Sequence, residues 1–289
     1  MNFENLCINC MREKGEYDVV CPHCHFDQNT YEMPPHVLPP YSVLNGRYLT
    51  GRVLGSGGFG ITYIAMDMIL ERKVAVKEFF VRGVMYRDST ASDTVSVSTD
   101  SMGTEERFYY ESRLKFEQEA KILAHLDELP GIVKVFDFFL ENDTVYMVQE
   151  FLDGITLKKY VENHNGRLPS EQVVQKLASV MESLQQVHEH GILHRDISPD
   201  NIMVMEDGSM KLLDFGGAKV NLNHEYSSLV LQKEGYTPIE QRHQDGKQGA
   251  WTDVYAMAAT MYYCICGIVP VDSVKRSDKD TLKNRRSWE

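Results

Sequence analysis

HRDISPDN, residues 194–201, is the stretch from which the rest of the chain can be read. It supplies His194, Arg195 and Asp196, with Asn201 five residues after the aspartate. Five residues apart in one loop, a carboxylate and an asparagine can face the same point, and the asparagine side-chain oxygen is a hard ligand for a divalent metal. Downstream, LLDFGGAK (212–219) offers a second such ligand in Asp214, followed by Phe215 and Gly216. Upstream, LGSGGFGITY (54–63) places Gly55, Gly57 and Gly60 as G-x-G-x-x-G between two strand-like runs. Glycines there let backbone amides approach phosphate oxygens closely. VAVK (74–77) ends in Lys77, flanked by residues of buried type, and a buried lysine needs a partner. Each motif alone is weak; the four in this order and at these separations are not a chance set.

Hydrophobic periodicity supplies the frame around them. RYLTGRVLG (47–55), GITYIAMDMIL (60–70) and RKVAVKEFF (72–80) alternate as three successive antiparallel strands. EERFYYESRLKFEQEAKILAHL (105–126) reads as a long helix. IVKVFDFFLEN and TVYMVQEFL read as a hairpin turning at Glu141-Asn142-Asp143. In 170–191, Val173, Val174, Leu177, Val180, Met181, Leu184 and Val187 share one helical face, with Ser170 as N-cap and Gly191 as the stop. IMVMEDGSMKLLDF turns at Asp207-Gly208, and TDVYAMAATMYYCICG (252–267) reads as a largely buried helix. Between Asp88 and Thr104, twelve of seventeen residues are Ser, Thr or Asp. That stretch reads as a solvated loop, with an exposed hairpin at Val95 and Val97 or a phosphorylated regulatory loop as alternatives.

On these motifs the chain resembles the protein kinases from Arg47 to about Pro270. The segments LPP, LNGRY, VAVKEFF, GYTPIEQ and WTDVYA are similar to those of bacterial serine/threonine kinases that carry an N-terminal zinc ribbon. The resemblance implies an α+β, two-lobed kinase fold, with an antiparallel-sheet N-lobe over about 46–151 and a helical C-lobe over about 152–289. It implies ATP in the cleft between lobes, Mg²⁺ (or Mn²⁺) on Asn201 and Asp214, and a protein substrate. Lys77 would hold the α and β phosphates, oriented by Glu119; Glu117 competes, but the KILAHL spacing favours Glu119. Asp196 would orient the substrate hydroxyl. Gln149 would be the gatekeeper, and Glu150 to Leu152 the hinge. Leu54, Thr62 and Ala75 would join the nucleotide-lining positions, with Thr62 standing where valine is common. His194 and Phe215 would belong to a packed spine, Asp253 would anchor the catalytic loop, and Glu240 would end the activation segment. Ser227 and Ser228, with Tyr226 behind them, are the candidate activation-loop phosphosites; the alternative is ordinary loop serines.

One position departs from the family. Serine/threonine kinases carry a lysine two residues after the catalytic aspartate, where this chain has Ser198. That lysine contacts a threonine seven residues before the final glutamate of the activation segment, and counting back from Glu240 gives Lys233. The two residue types look exchanged. Lys233 then supplies the charge from the opposite side and Ser198 the hydroxyl; the plainer reading makes Lys233 a solvated loop residue. Ser198 also feeds a second function class, a pseudokinase or ATP-binding scaffold whose ribbon docks a partner. A small-molecule kinase of the aminoglycoside type is a third, against which the glycine loop and GYTPIEQ stand.

Residues 1–26 form a separate unit. Cys7, Cys10, Cys21 and Cys24 make C-x2-C-x10-C-x2-C, and two such turns can set four thiolates around one Zn²⁺. So short a segment has no core of its own, so the metal would supply most of its folding free energy. Residues 27–45 hold two Pro-Pro pairs and read as an extended linker, with packing against the next domain as the alternative.

The net charge of −12 and a pI near 5.3 argue against nucleic-acid binding, which needs clustered Lys and Arg. No apolar run approaches membrane-spanning length, and MNFENLCINC is not a signal peptide, so a cytoplasmic location with reduced or metal-bound cysteines is expected. After Pro270 the chain runs VDSVKRSDKDTLKNRRSWE. A kinase C-lobe continues through further helices, one of which supplies an arginine for the glutamate at Glu240. A truncated lobe is therefore expected, with apolar surface on 252–267 promoting self-association, unless Arg276, Arg285 or Arg286 substitutes.

Overall fold

The computed structural model describes residues 3–88, 92–98, 103–215, 219–220, 233–243 and 245–282. The chain divides into two compact units, Met1–Ala124 with Lys134–Phe151, and His125–Val133 with Leu152–Glu289.

The first unit is built on a six-stranded antiparallel sheet. It comprises β1 (Val43–Leu44), β2 (Tyr48–Ser56), β3 (Gly60–Asp67), β4 (Arg72–Phe79), β8 (Thr144–Glu150) and β7 (Val135–Glu141), paired in that order. A two-stranded ladder, β5 (Met85–Tyr86) with β6 (Ser96–Val97), and helix α1 (Thr104–His125) lie between β4 and β7 in the chain. β7 and β8 turn through Asn142 and Asp143, whose φ values of 53° and 57° are those of a two-residue type I′ turn. Rings of Tyr109 and Phe116 on α1 sit 5.7 and 5.6 Å from Phe79 of β4.

Tyr63 to Asp67 of β3 are buried without a break, the mark of a strand covered on both faces. One cover is the N-terminal segment. Leu6 and Met11 from the cysteine unit share a core with Leu49, Ile64 and Met66 of β2 and β3. The Arg52 amide donates to Ile8 O at 2.8 Å. Gly51 lies so close to Met11 Cε and the Ile8 carbonyl that a Cβ there would overlap both. Gly51→Ala is expected to cost about 1–3 kcal/mol, as overpacking does, read as a lower Tm of the full chain.

The proline-rich segment packs against the sheet, so the alternative to an extended spacer holds. Val37 and Leu38 are buried, the Leu38 amide donates to Tyr63 Oη at 3.1 Å, and Ser42 O accepts from the Thr50 amide at 2.9 Å. The cause is a buried polar centre beneath it. Glu78, on the opposite strand face from Lys77, accepts from Tyr63 Oη (2.7 Å), Tyr146 Oη (2.8 Å) and the Arg87 guanidinium. Arg87 also donates to His36 O (3.0 Å) and Asp93 O (2.6 Å). Arg87 thereby holds Asp93 of the polar stretch, and Val95, expected on an exposed hairpin, is buried.

The second unit holds β9 (Gly154–Thr156), α2 (Leu157–Asn163), α3 (Ser170–Glu189), β10 (Ile192–Leu193), β11 (Ile202–Met205), β12 (Met210–Leu212), β13 (Lys219–Val220), α4 (Ala250–Cys266) and α5 (Ser273–Asp278). β12, β11 and β9 form one small sheet, and β10 pairs with β13. The N-cap of α3 is Pro169 rather than Ser170, which is the first helical residue; Gly191 follows the helix at φ 71°. α4 buries Ala256, Met257, Thr260, Tyr263 and Cys264, and leaves Trp251 and Val254 exposed. Among the described residues no helix is long and apolar enough to cross a membrane.

Candidate active site

In the first unit, β2 and β3 are joined by the glycine loop, closed by a Gly57 N–H to Gly60 O bond of 2.9 Å. Leu54 is exposed on the strand leading in. Thr62 pairs across the ladder with Lys77, and Ala75 lies between Ile64 and Gln149. Gln149 and Glu150 end β8, where Glu150 Oε1 accepts from the Lys134 amide at 2.8 Å. Lys77 Nζ meets Glu119 Oε1 at 2.9 Å, with the side chains 17% and 3% exposed. Glu117 pairs instead with Arg113 one helical turn away. Breaking so buried a pair leaves a charge without compensation, which fixes the lysine where the strand delivers it.

In the second unit, the 194–201 loop hangs from α4. Asp253 accepts from the amides of His194 (2.8 Å) and Arg195 (2.7 Å) and pairs with His188 Nε2 at 2.8 Å. Burial works against its ionisation, yet the His188 contact and these amides hold its carboxyl below the usual range. Arg195 stands at φ 65° and Asp214 at φ 56°, left-handed backbone that non-glycine residues adopt only where the surroundings impose it. Gln241 Nε2 on Arg195 O (2.7 Å) and Gln248 Oε1 on Arg195 Nη1 (3.1 Å) help impose it. His194 Nδ1 accepts from the Asp196 amide at 3.2 Å, so its Nε2 carries the proton given to Leu213 O at 2.8 Å. Burial pushes the His194 pKa down and keeps that neutral form. Its ring meets Phe215 edge-on at 4.5 Å.

Asp196 is the centre of the loop. Asn201 Nδ2 donates to both its Oδ2 and its carbonyl at 2.8 Å. Lys233 Nζ lies 3.1 Å from Asp196 Oδ1, 3.2 Å from Oδ2 and 3.1 Å from Ser198 Oγ. Burial raises the Asp196 pKa, and the Lys233 charge opposes that rise. Lys233 is presented by a closed turn: its amide donates to Thr237 Oγ1 (2.9 Å), and its carbonyl accepts from the amides of Tyr236 and Thr237. The Leu213 amide bonds Asn201 O at 2.8 Å, which sets Asp214 next to the metal-ligand candidate Asn201. Thr252 Oγ1 donates to Glu240 Oε1 at 3.1 Å, while Arg276 goes to Asp280; Arg285 and Arg286 lie outside the described residues, as do Gly216, Tyr226, Ser227 and Ser228.

The four cysteines converge separately, in the first unit. Their sulfurs lie within 4.8 Å of one another, with Cys7–Cys24 and Cys10–Cys21 both at 3.7 Å. A tetrahedron of sulfurs at about 2.3 Å from a metal has edges of about 3.8 Å, so the set fits such an ion. Cys24 is buried in part, but Asn9 Nδ2 (3.3 Å) and the Phe26 amide stabilise its thiolate and bring its pKa down to about 7, while burial pushes the Cys7 and Cys10 thiols up. His23 takes no place in the cluster and bonds Glu13 O.

Sequence reasoning missed His188, Gln241 and Gln248, which lie 46 to 65 residues from their partners with no local spacing to announce them. It also missed Glu78 and Arg87, although a glutamate inside the apolar run VAVKEFF is itself a sign of a buried partner.

A family model described as protein kinase domain matches residues 48–288. The chain is 30% identical over 231 residues to serine/threonine-protein kinase PrkC of Bacillus subtilis, covering 79% of this chain and 32% of that protein. It is 31% identical over 264 residues to serine/threonine-protein kinase F of Synechocystis, covering 85% and 48%. Against a solved structure described as the apo form of PpkA-294, the TM-score is 0.74 at 32% identity, covering 88% of this chain and 87% of that one. The chain thus spans about a third to a half of the length of these curated relatives.

Proposed function

This chain belongs to the protein kinase family, and from that premise we propose that it transfers the γ-phosphoryl group of ATP to serine or threonine hydroxyls of a protein substrate. The observation that carries the reading is the contact of Asp196 with both Asn201 and Lys233 beside Ser198. Phosphoryl transfer asks a protein chiefly for positioning and charge. Asp196 orients the acceptor hydroxyl and takes its proton. Lys233 favours the ionised form of Asp196 against the effect of burial and offers positive charge where a lysine two residues after the aspartate usually does. Ser198 holds the Lys233 ammonium. Lys77, fixed by Glu119, binds phosphate oxygens, and the amides of Gly55 to Gly60 cradle them. Leu54, Thr62, Ala75, Gln149, Glu150 and Leu152 line the nucleotide. Asn201 and Asp214 would hold Mg²⁺ or Mn²⁺, which when bound would supply positive charge to neutralise phosphate oxygens. The four cysteines would hold Zn²⁺ in a structural role, and a reducing, cytoplasmic compartment would keep their thiolates available to the metal.

Labelled ATP, Mg²⁺ and a generic protein substrate test the reading. Transfer to serine and threonine, abolished by Asp196→Asn, is expected. ATP binding without transfer would leave the scaffold reading, and transfer to a small molecule alone would leave the third class. Elemental analysis should find one zinc per chain; freely titratable thiols with neither zinc nor iron would remove the metal from the account.

A further inference from the structure

β2 does not pair evenly with β3. From Thr50↔Ala65 to Val53↔Tyr63 the first strand advances three residues while the second advances two, and from Val53↔Tyr63 to Gly55↔Thr62 it advances two against one. Each step is a bulge, and together they set the direction in which β2 enters the glycine loop. Bulges free backbone groups from the ladder, and those groups must find other partners. Here both partners come from the N-terminal segment. The Arg52 amide is taken by Ile8 O at 2.8 Å, and the Val53 amide by Tyr31 Oη at 3.1 Å. The Arg52 side chain is held too: its Nε bonds Asn9 Oδ1, and its Nη1 bonds Val53 O at 2.9 Å. Asn9 is fixed at its other end by Cys24 Sγ, and Ile8 and Asn9 are the two residues inside the Cys7-x2-Cys10 turn.

We propose that the metal-holding cysteine turn positions the phosphate-binding loop, with Ile8 O, Tyr31 Oη and the Cys24–Asn9–Arg52 link as the positioning contacts. The proposal rests on the reading of Gly55 to Gly60 as the ATP phosphate cradle and of the four cysteines as a metal site. A metal-held turn keeps Ile8 O aimed at β2, and a thiolate acceptor keeps the Asn9 amide oriented with its oxygen toward Arg52. Loss of the metal frees both, and the bulged strand then passes its freedom to the amides that meet phosphate. The effect falls on nucleotide affinity, not on the Asp196 chemistry.

Two variants of the full chain that keep the metal carry the test, Tyr31→Phe and Asn9→Ala. Fluorescent ATP-analogue titration with Mg²⁺ should give a Kd raised about fivefold in Tyr31→Phe, the size of one neutral hydrogen bond lost, and at least as much in Asn9→Ala, which loses its bonds to both Arg52 and Cys24. KM for ATP should rise with it, while kcat and KM for the protein substrate stay level, a split that general destabilisation does not produce. Hydrogen exchange should quicken in 52–60 and stay unchanged in β4. Zinc removal with an organomercurial, Mg²⁺ being supplied afresh, should raise Kd further. Wild-type affinity and unchanged exchange in both variants would overturn the proposal. Since affinity and exchange are read without phosphotransfer, a chain that binds but transfers nothing would sink the kinase reading and leave this one standing. A chain that transfers normally with all variants unaffected would do the reverse.

Discussion

Lys233→Ala will lower kcat by about a hundredfold or more, the scale seen when a preorganised charge is removed from a reacting centre. The ammonium lies 3.1 Å from Asp196 Oδ1. At about 4 Å and an effective dielectric near 20, one such charge contributes up to about 4 kcal/mol. The variant has a second signature. Asp196 must be ionised to take a proton, so kcat falls as pH drops through its pKa. Burial already raises that pKa, and the Lys233 charge is the largest influence holding it down. Without the ammonium the acid limb of the pH profile moves to higher pH. Ser198→Lys combined with Lys233→Thr should restore more activity than the single variants predict, because the charge returns from the other side, and a double-mutant cycle measures that coupling. Full kcat and an unmoved acid limb in Lys233→Ala would refute the role given to this lysine.

Arg87→Ala should destabilise the chain by about 3–5 kcal/mol, the cost of leaving a buried charge without its partner. Arg87 and Glu78 are both 0% exposed at their side chains. The loss is not confined to the pair, since Arg87 also bonds His36 O and Asp93 O and so joins the proline-rich segment to β4. In calorimetry of the full chain, Tm should drop by about 10 °C. Glu78→Gln with Arg87→Met should be milder than Arg87→Ala, since no charge is left behind. A Tm for Arg87→Ala within about 2 °C of the parent would show that water or a rearranged side chain serves Glu78 as well.

The contact between Asp196 and Asn201 was legible because their spacing is short. The H-R-D-x-x-x-x-N loop puts Asp196 and Asn201 within hydrogen-bond reach through a single 3₁₀ turn at Pro199–Asn201, so their contact is written in five residues. The meeting of Lys233 with Ser198 was reachable because the resemblance fixes a register: seven residues before Glu240 stands the position that faces the one two residues after Asp196. The coupling of the cysteine turn to β2 was not legible. It depends on two bulges and on a glycine, Gly51, that in sequence is just one more small residue in a strand. Nor was the fate of the proline-rich segment. Val37 and Leu38 are two apolar residues among prolines, and their burial follows from Arg87, about fifty residues on, in a stretch whose serines and aspartates read as solvated.

The core that Leu6 and Met11 share with Leu49, Ile64 and Met66 also decides where this polypeptide can be cut. The family match begins at residue 48, and a boundary drawn there looks natural by homology. Physically it runs through the middle of a hydrophobic cluster. A chain trimmed at that point would show water three large aliphatic side chains on the outer face of its sheet, together with the two orphaned amides of Arg52 and Val53. Such a surface drives self-adhesion at the concentrations used for purification. A stable form of this kinase-family domain therefore includes the cysteine segment that completes its core.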